Sequence, residues 1–493
     1  MAAVAGIDIG TTSVGLTIMD AEDGLVRRSL SYAHEAALAS ERPWERMQDP
    51  ARIFALVQRM IRECGDDWRQ VEAIGLSCQM HGIVYVDDRG EAVSPLYTWQ
   101  DGRGSLPAED GRSYADRLQT VTGYPLAGGY GVVTMYHQVE NGEVPRSAVH
   151  LCTIGDYVSM QLCGKAKPVV DATNAAGIGM YDDAGGVFDR FAAEKAGLPS
   201  GLFPAVAQDG VVLGRTPDGK AVVCAIGDNQ ASFLGAVPSL DGHVLVNIGT
   251  GSQLSVYSRE LASPGGGWEC RPFPGGGYLL AYAALGGGKS YALLERFYRE
   301  VVRVFAATNV EEPQAGALYA RMNGLALDAL TRGLALPQVD ARFFGSREKP
   351  HVQLRLPVEP VPQTGREQQE QRTTHLQQVY GSIRDIDEDD WTVGQLTAGW
   401  LNGILDELLG AMERIPGELA DAIHTVVGSG NGIRANPAMQ LLLREKSRKP
   451  LLLPEAREEA AFGAAVHAAV AVGIHTDHAS ALRCMHQRTN AGS

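Results

Sequence analysis

Two short segments, about half a chain apart, share one residue pattern. Gly10 and Gly249 each follow an apolar run and precede a threonine, and Ser13 and Ser252 coincide when the glycines are aligned. The offset (249 − 10 = 239) is close to half of the 493 residues. Each segment predicts two strands joined by a tight turn at glycine. The repeat therefore predicts two halves of like fold.

The two turns carry groups suited to phosphate. Glycine lets a ligand approach the backbone, and hydroxyl and amide groups can donate to phosphate oxygens. Asp8 precedes the first turn, and its carboxylate would be useful beside a phosphate only with a cation between them. Either segment alone is explained equally well as an ordinary hairpin. The candidate phosphate-binding residues are Gly10, Thr11, Thr12, Ser13, Gly249, Thr250 and Gly251.

Length and charge limit the class of protein. A chain of 493 residues favours two large domains, and 45% hydrophobic with 20% charged residues is typical of a soluble globular protein. The net charge of −15 argues against nucleic acid or an anionic membrane as partner, because no basic surplus neutralises phosphate backbones. A small phosphorylated ligand remains compatible, since its site needs only local positive charge.

The cysteines and the apolar segments predict the compartment. Seven scattered cysteines without a CxxC pair favour thiols in a reducing cytoplasm and argue against a zinc site. No secretory signal is recognisable, and the apolar stretch 460–473 is too short to span a membrane. We therefore expect a cytoplasmic protein with no membrane partner.

Apolar periodicity predicts an α/β fold. The boundary between two domains is expected near residue 231, which gives domains 1–231 and 232–475 and a fraying tail, 476–493. The polar segment 357–375 is expected to be an exposed insertion. Strands are predicted at 25–33, 71–77, 83–86, 222–226, 243–248, 253–257, 423–427 and 451–453. Helices are predicted after Asp49-Pro50 and at 112–121, 153–163, 231–236, 288–304, 392–415, 437–446 and 457–472.

Asp228 follows an apolar strand and precedes a helix. From spacing alone it is best interpreted as an N-cap, a frequent role for Asp. The alternative is a general base that points into a cleft between the domains. Phosphoryl transfer needs little beyond positioning, charge neutralisation and such a base.

Polar and aromatic residues follow another strand end, where ligands collect in α/β folds. A structural histidine is the commoner role for His81. Together, however, these side chains offer donors, acceptors and an apolar face, which suits a polyhydroxylated small molecule. The candidates are Gln79, Met80, His81, Trp99, Asp101 and Arg103.

Two glycine-rich stretches have different interpretations. Gly286-Gly287-Gly288-Lys289-Ser290 ends like a Walker A motif, but the glycine required earlier is Ala283, so we predict that Lys289 is an exposed residue in a helix's first turn. Gly428-Ser429-Gly430-Asn431-Gly432 joins a strand to a helix and is a candidate seat for a nucleoside, although such turns are often glycine-rich for steric reasons alone.

The motifs in combination and order resemble the FGGY carbohydrate kinases of the actin-like ATPase superfamily, nearly from end to end. Residues 76–84, 98–103 and 156–164 and Asn174-Ala175-Ala176 are most similar to the sedoheptulose-specific branch, with the xylulose kinases next. The matching motifs are Asp8-Ile9-Gly10-Thr11-Thr12-Ser13, Gln79-Met80-His81-Gly82, Trp99-Gln100-Asp101-Gly102-Arg103, Gly227-Asp228-Asn229-Gln230-Ala231, Asn247-Ile248-Gly249-Thr250-Gly251-Ser252, Gly345-Ser346-Arg347, Gly428-Ser429-Gly430 and Glu459-Ala460-Ala461-Phe462-Gly463-Ala464-Ala465.

The resemblance implies two ribonuclease H-like domains that close over ATP and a ketose. It implies that Asp228 takes a proton from a primary hydroxyl, and that Asp8 and Asp228 help to hold Mg²⁺. Asn229 would join the sugar-binding residues. A homodimer is one candidate assembly, and the sequence does not fix the oligomeric state. A non-catalytic nucleotide-binding regulator is the alternative from another class. The implied adenosine contacts are Gly428, Gly430, Asn431 and Asn436.

Overall fold

A computed structural model describes residues 2–207, 210–262, 265–284, 286–305, 316–344 and 381–486. Two mixed sheets organise these residues, one in each half of the chain, and helices cover them. The α/β expectation is therefore confirmed. The segments 345–347 and 357–375, about which the sequence makes predictions, lie outside the described residues.

The first sheet contains the first predicted hairpin. Its strand order is β13-β14-β5-β1-β2-β3, and β15 also pairs with β5. β1 runs antiparallel to β2 and parallel to β5, so Asp8 has Gly15 and Ser77 as its neighbours. The strands are β1 (Ala3–Ile9), β2 (Ser13–Asp20), β3 (Val26–Ala33), β4 (Met47–Gln48), β5 (Val71–Cys78), β6 (Val84–Val86), β7 (Leu96–Tyr97), β8 (His150–Cys152), β9 (Val169–Val170), β10 (Tyr181–Asp182), β11 (Val187–Phe188), β12 (Ala205–Val206), β13 (Val212–Arg215), β14 (Ala221–Val223) and β15 (Ile226–Gly227).

Local sequence signals explain how several helices of the first half begin. The side chain of Asp49 accepts hydrogen bonds from the N–H groups of Ala51 and Arg52, and Pro50 occupies the first helical position, as predicted. Thr153 and Asp156 form a capping box. The helices are α1 (Pro50–Glu63), α2 (Asp66–Arg69), α3 (Tyr114–Thr122), α4 (Gly131–Glu140), α5 (Ile154–Cys163), α6 (Ala172–Ile178), α7 (Arg190–Lys195) and α8 (Asp228–Ala236).

The second sheet contains the second predicted hairpin. Its order is β18-β19-β17-β16-β22-β23, with β16 antiparallel to β17 and parallel to β22, which repeats the arrangement of β1, β2 and β5. The like fold of the two halves therefore extends beyond the turns. The strands are β16 (His243–Ile248), β17 (Ser252–Ser258), β18 (Trp268–Pro272), β19 (Tyr278–Ala284), β20 (Gln338–Asp340), β21 (Ser382–Arg384), β22 (Thr425–Ser429) and β23 (Leu451–Leu452).

Among the described residues of the second half, the helices bury apolar faces against this sheet. The large core there includes Trp400, Leu401 and Leu405 of the longest helix. The helices are α9 (Gly287–Phe305), α10 (Ala317–Thr331), α11 (Val393–Met412), α12 (Gly417–Ala422), α13 (Asn431–Arg434), α14 (Pro437–Ser447), α15 (Glu459–Ala471) and α16 (His478–His486).

Helices α8 and α15 lie between the two sheets and cross at glycines. A Cβ on Gly235 would lie 1.8 Å from the Glu459 carbonyl oxygen, and a Cβ on Gly463 would lie 1.8 Å from the Ala231 carbonyl oxygen. Their core joins residues of both sheets, among them Val4 and Val427. The two helix backbones are therefore in direct contact.

Several boundaries differ from the sequence predictions. The strand expected at 222–226 is interrupted, because β14 and β15 pair separately with β5. The N-cap interpretation of Asp228 is wrong: Gly227 is the N-cap, and Asp228 is the first residue of α8. The tail does not fray at its start, because α16 buries Ala481 and Leu482 in the core between the sheets. Several helices, among them α4, α6 and α10, are not predicted by the sequence patterns.

The domain boundary expected at residue 231 falls inside α8. This helix connects the two sheets and continues beyond that residue to Ala236. The division into 1–231 and 232–475 stays a prediction, since the compact core between the sheets contains residues from both sides of the boundary.

Candidate active site

The turn of the first hairpin is held from its carbonyl side. The Gly10 N–H donates to the Ser13 carbonyl oxygen at 2.9 Å. The Thr11 carbonyl oxygen accepts from the Gln48 side chain at 2.7 Å and lies 3.0 Å from His34 Nε2. Among the described residues, no acceptor faces the N–H groups of Thr11 or Thr12. These donors are available to an anion, as the sequence predicts for phosphate.

The turn of the second hairpin is held by the start of α9. The N–H groups of Gly288 and Lys289 donate to the carbonyl oxygens of Gly249 and Thr250, at 3.1 and 2.8 Å. A Cβ on Gly288 would lie 2.1 Å from the Gly249 oxygen, so this contact requires glycine. The side chain of Lys289 is exposed, as predicted. The glycine-rich stretch before it thus supports the turn, a role that the sequence did not indicate.

Asp8 lies at the inner end of β1, next to the first turn. Ser77 Oγ donates to Asp8 Oδ1 at 2.8 Å. Burial raises the pKa of Asp8 to about 7, with further increases from repulsion by Asp228 and Glu458 and a decrease from the Ser77 hydrogen bond. Glu458 approaches because Gly15 has no side chain: a Cβ there would lie 2.6 Å from Glu458 Oε2.

Asp228 lies at the first position of α8, where the helix dipole favours a negative charge. Burial raises its pKa to about 6, and attraction to the buried Arg271 opposes that rise. Asp8 and Asp228 are half-buried residues whose carboxyl groups are enclosed by protein. With a pKa of about 6, the Asp228 carboxylate is largely ionised near neutral pH.

The residues after β5 connect this region with the first turn. Gln79 Nε2 donates to Gln48 Oε1 at 3.0 Å, and Gln79 Oε1 is buried with no hydrogen-bond partner among the described residues. His81 adopts a left-handed backbone (φ 73°), with Nδ1 2.7 Å from the Gly177 carbonyl oxygen and its ring 4.5 Å from that of Tyr130. The free acceptor on Gln79 suits a ligand donor.

The sulfur atom of Met80 lies beside the start of α8. Asn229 Nδ2 is 3.7 Å from Met80 Sδ, and a Cβ on Gly227 would lie 2.9 Å from the same sulfur. Three of the predicted sugar-binding or catalytic residues, Met80, Asp228 and Asn229, are therefore neighbours. The sequence separates Met80 from them by about 150 positions.

Trp99 is placed differently from the two charged residues that follow it. Its side chain is 44% exposed, and Nε1 donates to Thr11 Oγ1 at 3.0 Å, which keeps the ring beside the first turn. Asp101 and Arg103 are buried as an ion pair with an Nε–Oδ1 distance of 2.6 Å, and Arg103 lies over the Tyr97 ring. This pair is suited to supporting the loop, and its predicted substrate contact stays a prediction.

The predicted adenosine residues form two groups. Gly430 (φ 79°) and Asn431 follow β22, and a Cβ on Gly430 would lie 2.5 Å from the Ile248 carbonyl oxygen, near the second turn. Gly428 is enclosed within β22, and the side chain of Asn436 caps α14 by accepting from the Met439 N–H at 3.2 Å. The structure thus brings only the first group to the end of the sheet beside the second turn, and the nucleoside contacts of all four stay predictions.

Three nearby residues were missed by the sequence interpretation: Arg271 of β18, Tyr130 before α4, and Glu458 before α15. The buried Arg271 has Met80 as a neighbour 191 positions away. Glu458 directly precedes a motif that the family resemblance already includes, so it was the most accessible of the three to sequence reasoning. Arg271 and Tyr130 lie in segments without a motif.

Other parts of the molecule do not join this site. A cavity of about 620 Å³ lies between α11 and β20, lined by residues such as Gln338, Arg342 and Glu407, and none of the predicted site residues lines it. Within the described ranges, no group of three or more His, Cys, Asp or Glu side chains is arranged to hold a metal ion. No helix in the described part of the chain is long and apolar enough to cross a membrane.

Comparison with known proteins defines the class. Residues 3–235 match the family described as "FGGY family of carbohydrate kinases, N-terminal domain". This part of the chain belongs to that family, and the chain is a sugar kinase, which implies ATP as the phosphoryl donor. The family match favours an enzyme over the non-catalytic regulator.

Particular relatives refine this class. The chain is 28% identical to sedoheptulokinase of Mus musculus over 94% of this chain and 96% of that protein. It is 26% identical to xylulose kinase of Streptomyces coelicolor over 99% of this chain and 91% of that protein. The chain is therefore similar to kinases of two ketoses.

Solved structures confirm the fold. A gluconate kinase from Lactobacillus acidophilus superposes with a TM-score of 0.75 at 18% identity, covering 97% of this chain and 91% of that one. A glycerol kinase from Plasmodium falciparum, solved with ADP, gives 0.73 at 16% identity, covering 98% and 92%. The fold is the two-domain actin-like ATPase fold that the sequence resemblance implied.

Proposed function

We propose that the protein transfers the γ-phosphoryl group of ATP to the terminal primary hydroxyl of sedoheptulose, giving sedoheptulose 7-phosphate and ADP. The observation that carries the proposal is the contact of Met80 with the start of α8, where Asp228 and Asn229 lie. The similarity to sedoheptulokinases over nearly the whole chain supports the choice of sugar. Xylulose is the second candidate, supported by the similarity to xylulose kinases.

In the proposed mechanism, Asp228 accepts the proton of the sugar hydroxyl. The hydroxyl oxygen forms a bond to the γ-phosphorus as the bond to the bridging oxygen of ATP breaks, and ADP leaves. A pKa of about 6 suits this role, because the group is mostly ionised at neutral pH yet remains basic enough to accept a proton. The helix dipole of α8 favours the ionised form of this carboxylate before the proton is transferred.

The two turns would hold the phosphates, the first through the N–H groups of Thr11 and Thr12 and the second through Gly249 to Gly251. Trp99 and Gln79 would position the sugar next to the first turn. The Trp99 side chain is hydrogen-bonded to Thr11 in that turn, and the Gln79 side chain is hydrogen-bonded to Gln48, which supports the turn. Gly430 and Asn431 would lie beside the adenosine. A homodimer and a cytoplasmic location remain predictions.

Asp8 and Asp228 fit a magnesium site. Their carboxylate oxygens match the ligand preference of Mg²⁺, which usually keeps several waters and takes one or two carboxylates together with substrate phosphates. Burial is the main cause of the raised pKa of Asp8, and repulsion by Asp228 and Glu458 raises it further. A divalent cation would relieve that repulsion. The ion would supply positive charge to the phosphate oxygens.

A panel of sugars tests the proposal. ADP release by the purified protein is measured with sedoheptulose, xylulose, ribulose and polyols, and the product is located by phosphorus–carbon NMR coupling. We expect the highest kcat/KM for sedoheptulose and phosphate on carbon 7. A higher kcat/KM for xylulose would change the proposed substrate and leave the proposed kinase activity intact. No turnover with any sugar would refute the proposal.

A further inference from the structure

Arg271 comes from the second sheet but faces residues of the first half. It lies on the edge strand β18, whose end is fixed to α8 by a hydrogen bond from Gln230 Nε2 to the Pro272 carbonyl oxygen at 2.9 Å. Its side chain is directed at Met80, with Nη1 3.5 Å from Sδ. Only 6% of the residue is exposed. The second half therefore contributes a buried cation to the region where the sugar is proposed to bind.

The hydrogen bonds of this guanidinium are incomplete. Nε and Nη2 both donate to one oxygen, Glu269 Oε2, at 3.1 and 2.5 Å. Nη1 has the Met80 thioether as its acceptor, and sulfur accepts hydrogen bonds weakly. Within the described part of the chain, Nη1 makes no hydrogen bond to an oxygen atom. A buried charged donor without an oxygen partner is costly, which favours an oxygen supplied by a ligand.

The unfilled side of Arg271 coincides with the proposed reaction centre. Met80 Sδ is shared by Arg271 Nη1 and Asn229 Nδ2, and Asn229 directly follows Asp228. A ketose with its terminal hydroxyl at Asp228 would present further hydroxyl oxygens to this position. Hydroxyl and carbonyl oxygens are good acceptors for a guanidinium.

We propose that Arg271 is a sugar-binding residue whose Nη1 donates a hydrogen bond to a hydroxyl or carbonyl oxygen of the bound ketose. This inference rests on the proposed function. It makes the sugar site a joint product of both halves, because Gln79 to His81 and Asn229 come from the first and Arg271 from the second. The sugar would thus be bound fully only with the two halves in contact.

Kinetics of Arg271→Met and Arg271→Lys test the proposal. Methionine keeps much of the apolar stem beside Met80 and removes the donors, whereas lysine keeps a charge without the planar fork. Losing a charge-assisted hydrogen bond is expected to raise the KM for sedoheptulose by about tenfold or more in Arg271→Met, with a smaller rise in Arg271→Lys. The KM for ATP is expected to change by less than about twofold.

Arg259→Met is the matched control, because Arg259 belongs to the same half and pairs with Asp241 on the surface. Its KM values are expected to equal those of the wild type. The proposal would be overturned if the KM values of Arg271→Met for sedoheptulose and for ATP changed equally, or if neither changed. It would also be overturned if the denaturation midpoint of the variant fell while the KM for sedoheptulose did not rise selectively. Failure of both Arg271 variants to fold would also overturn the proposal, since that result would give Arg271 a structural role in stabilising the fold.

This result is distinguishable from failure of the proposed function. If the wild type releases no ADP with any ketose, the function itself is refuted. If the wild type turns over and the sugar KM of Arg271→Met is unchanged, only the role of Arg271 is refuted. If instead the sugar KM of Arg271→Met rises, singly deoxygenated analogues of sedoheptulose identify the oxygen that Arg271 binds. The analogue that lacks this oxygen should lose no further affinity when Arg271 is changed.

Discussion

Gly463→Ala should disrupt the crossing of α8 and α15. The new Cβ would lie 1.8 Å from the Ala231 carbonyl oxygen and 2.8 Å from Gly235 N, so the helix backbones must separate. Such overpacking costs about 1–3 kcal/mol or more. Alanine in a helix interior is itself favoured over glycine by about 0.8–1 kcal/mol. We expect a net loss of free energy of unfolding of up to about 2 kcal/mol.

A matched control separates the two terms. Gly324 lies in the middle of α10, and a Cβ there would meet no atom within 4 Å. Gly324→Ala should therefore stabilise the protein by up to about 1 kcal/mol. Urea denaturation followed by tryptophan fluorescence measures both variants. Because Asp228 begins α8, Gly463→Ala is also expected to lower kcat, and equal stabilisation by the two substitutions would refute the close crossing.

Three further predictions concern single side chains. Lys289→Ala should leave the KM for ATP within about twofold of the wild-type value, because the Lys289 side chain is exposed and only its backbone supports the second turn. A rise of about a hundredfold in this KM would instead indicate that Lys289 binds phosphate as in a Walker A motif. Trp99→Phe removes the hydrogen bond to Thr11 and should cost about 0.5–1.5 kcal/mol in kcat/KM for the sugar, with an unchanged value contradicting the placement of the ring. Burial raises the pKa of Asp156 to about 7, so between about pH 4 and 7 the native state binds more protons than the unfolded state. The wild-type protein therefore loses stability as pH rises through that window. In urea titrations, Asp156→Asn should gain stability relative to the wild type from about pH 5 to 7.5, and parallel pH profiles of the two proteins would refute this.

The sequence was sufficient where the determinants are local. The turns at Gly10 and Gly249 follow from glycine and hydroxyl residues between apolar runs, and α1 follows from Asp49-Pro50. The family resemblance then gave the order of the motifs. Asp228 shows the limit of local rules: a carboxylate at a helix start is usually a cap, yet here Gly227 takes that position and Asp228 is free to act.

The remaining features depend on contacts between distant segments. Nothing near Arg271 in the sequence indicates that an edge strand delivers it to Met80 in the other half. The pairing of Asp101 with Arg103 likewise becomes evident only when both are buried beneath the loop. The glycines at 286–288 resemble a phosphate loop in composition, whereas their packing against the Gly249 turn is a property of the folded chain.

The pH dependence of activity bears on the base. Burial raises the pKa of Asp228 to about 6, opposed by attraction to Arg271. Since only the ionised carboxylate accepts the proton, kcat/KM for the sugar should fall as pH decreases below about 6. A profile that is flat from pH 7 to 5 would contradict this assignment.

The central claim is most directly tested by sugar-dependent ADP release from Asp228→Asn. Asparagine has nearly the same shape and accepts no proton, so kcat is expected to fall by about 10²- to 10⁴-fold, while the variant folds and still binds ADP. Asp241→Asn, on the exposed surface of the second half, is the control and should match the wild type. A kcat for Asp228→Asn within about threefold of the wild-type value would contradict the account.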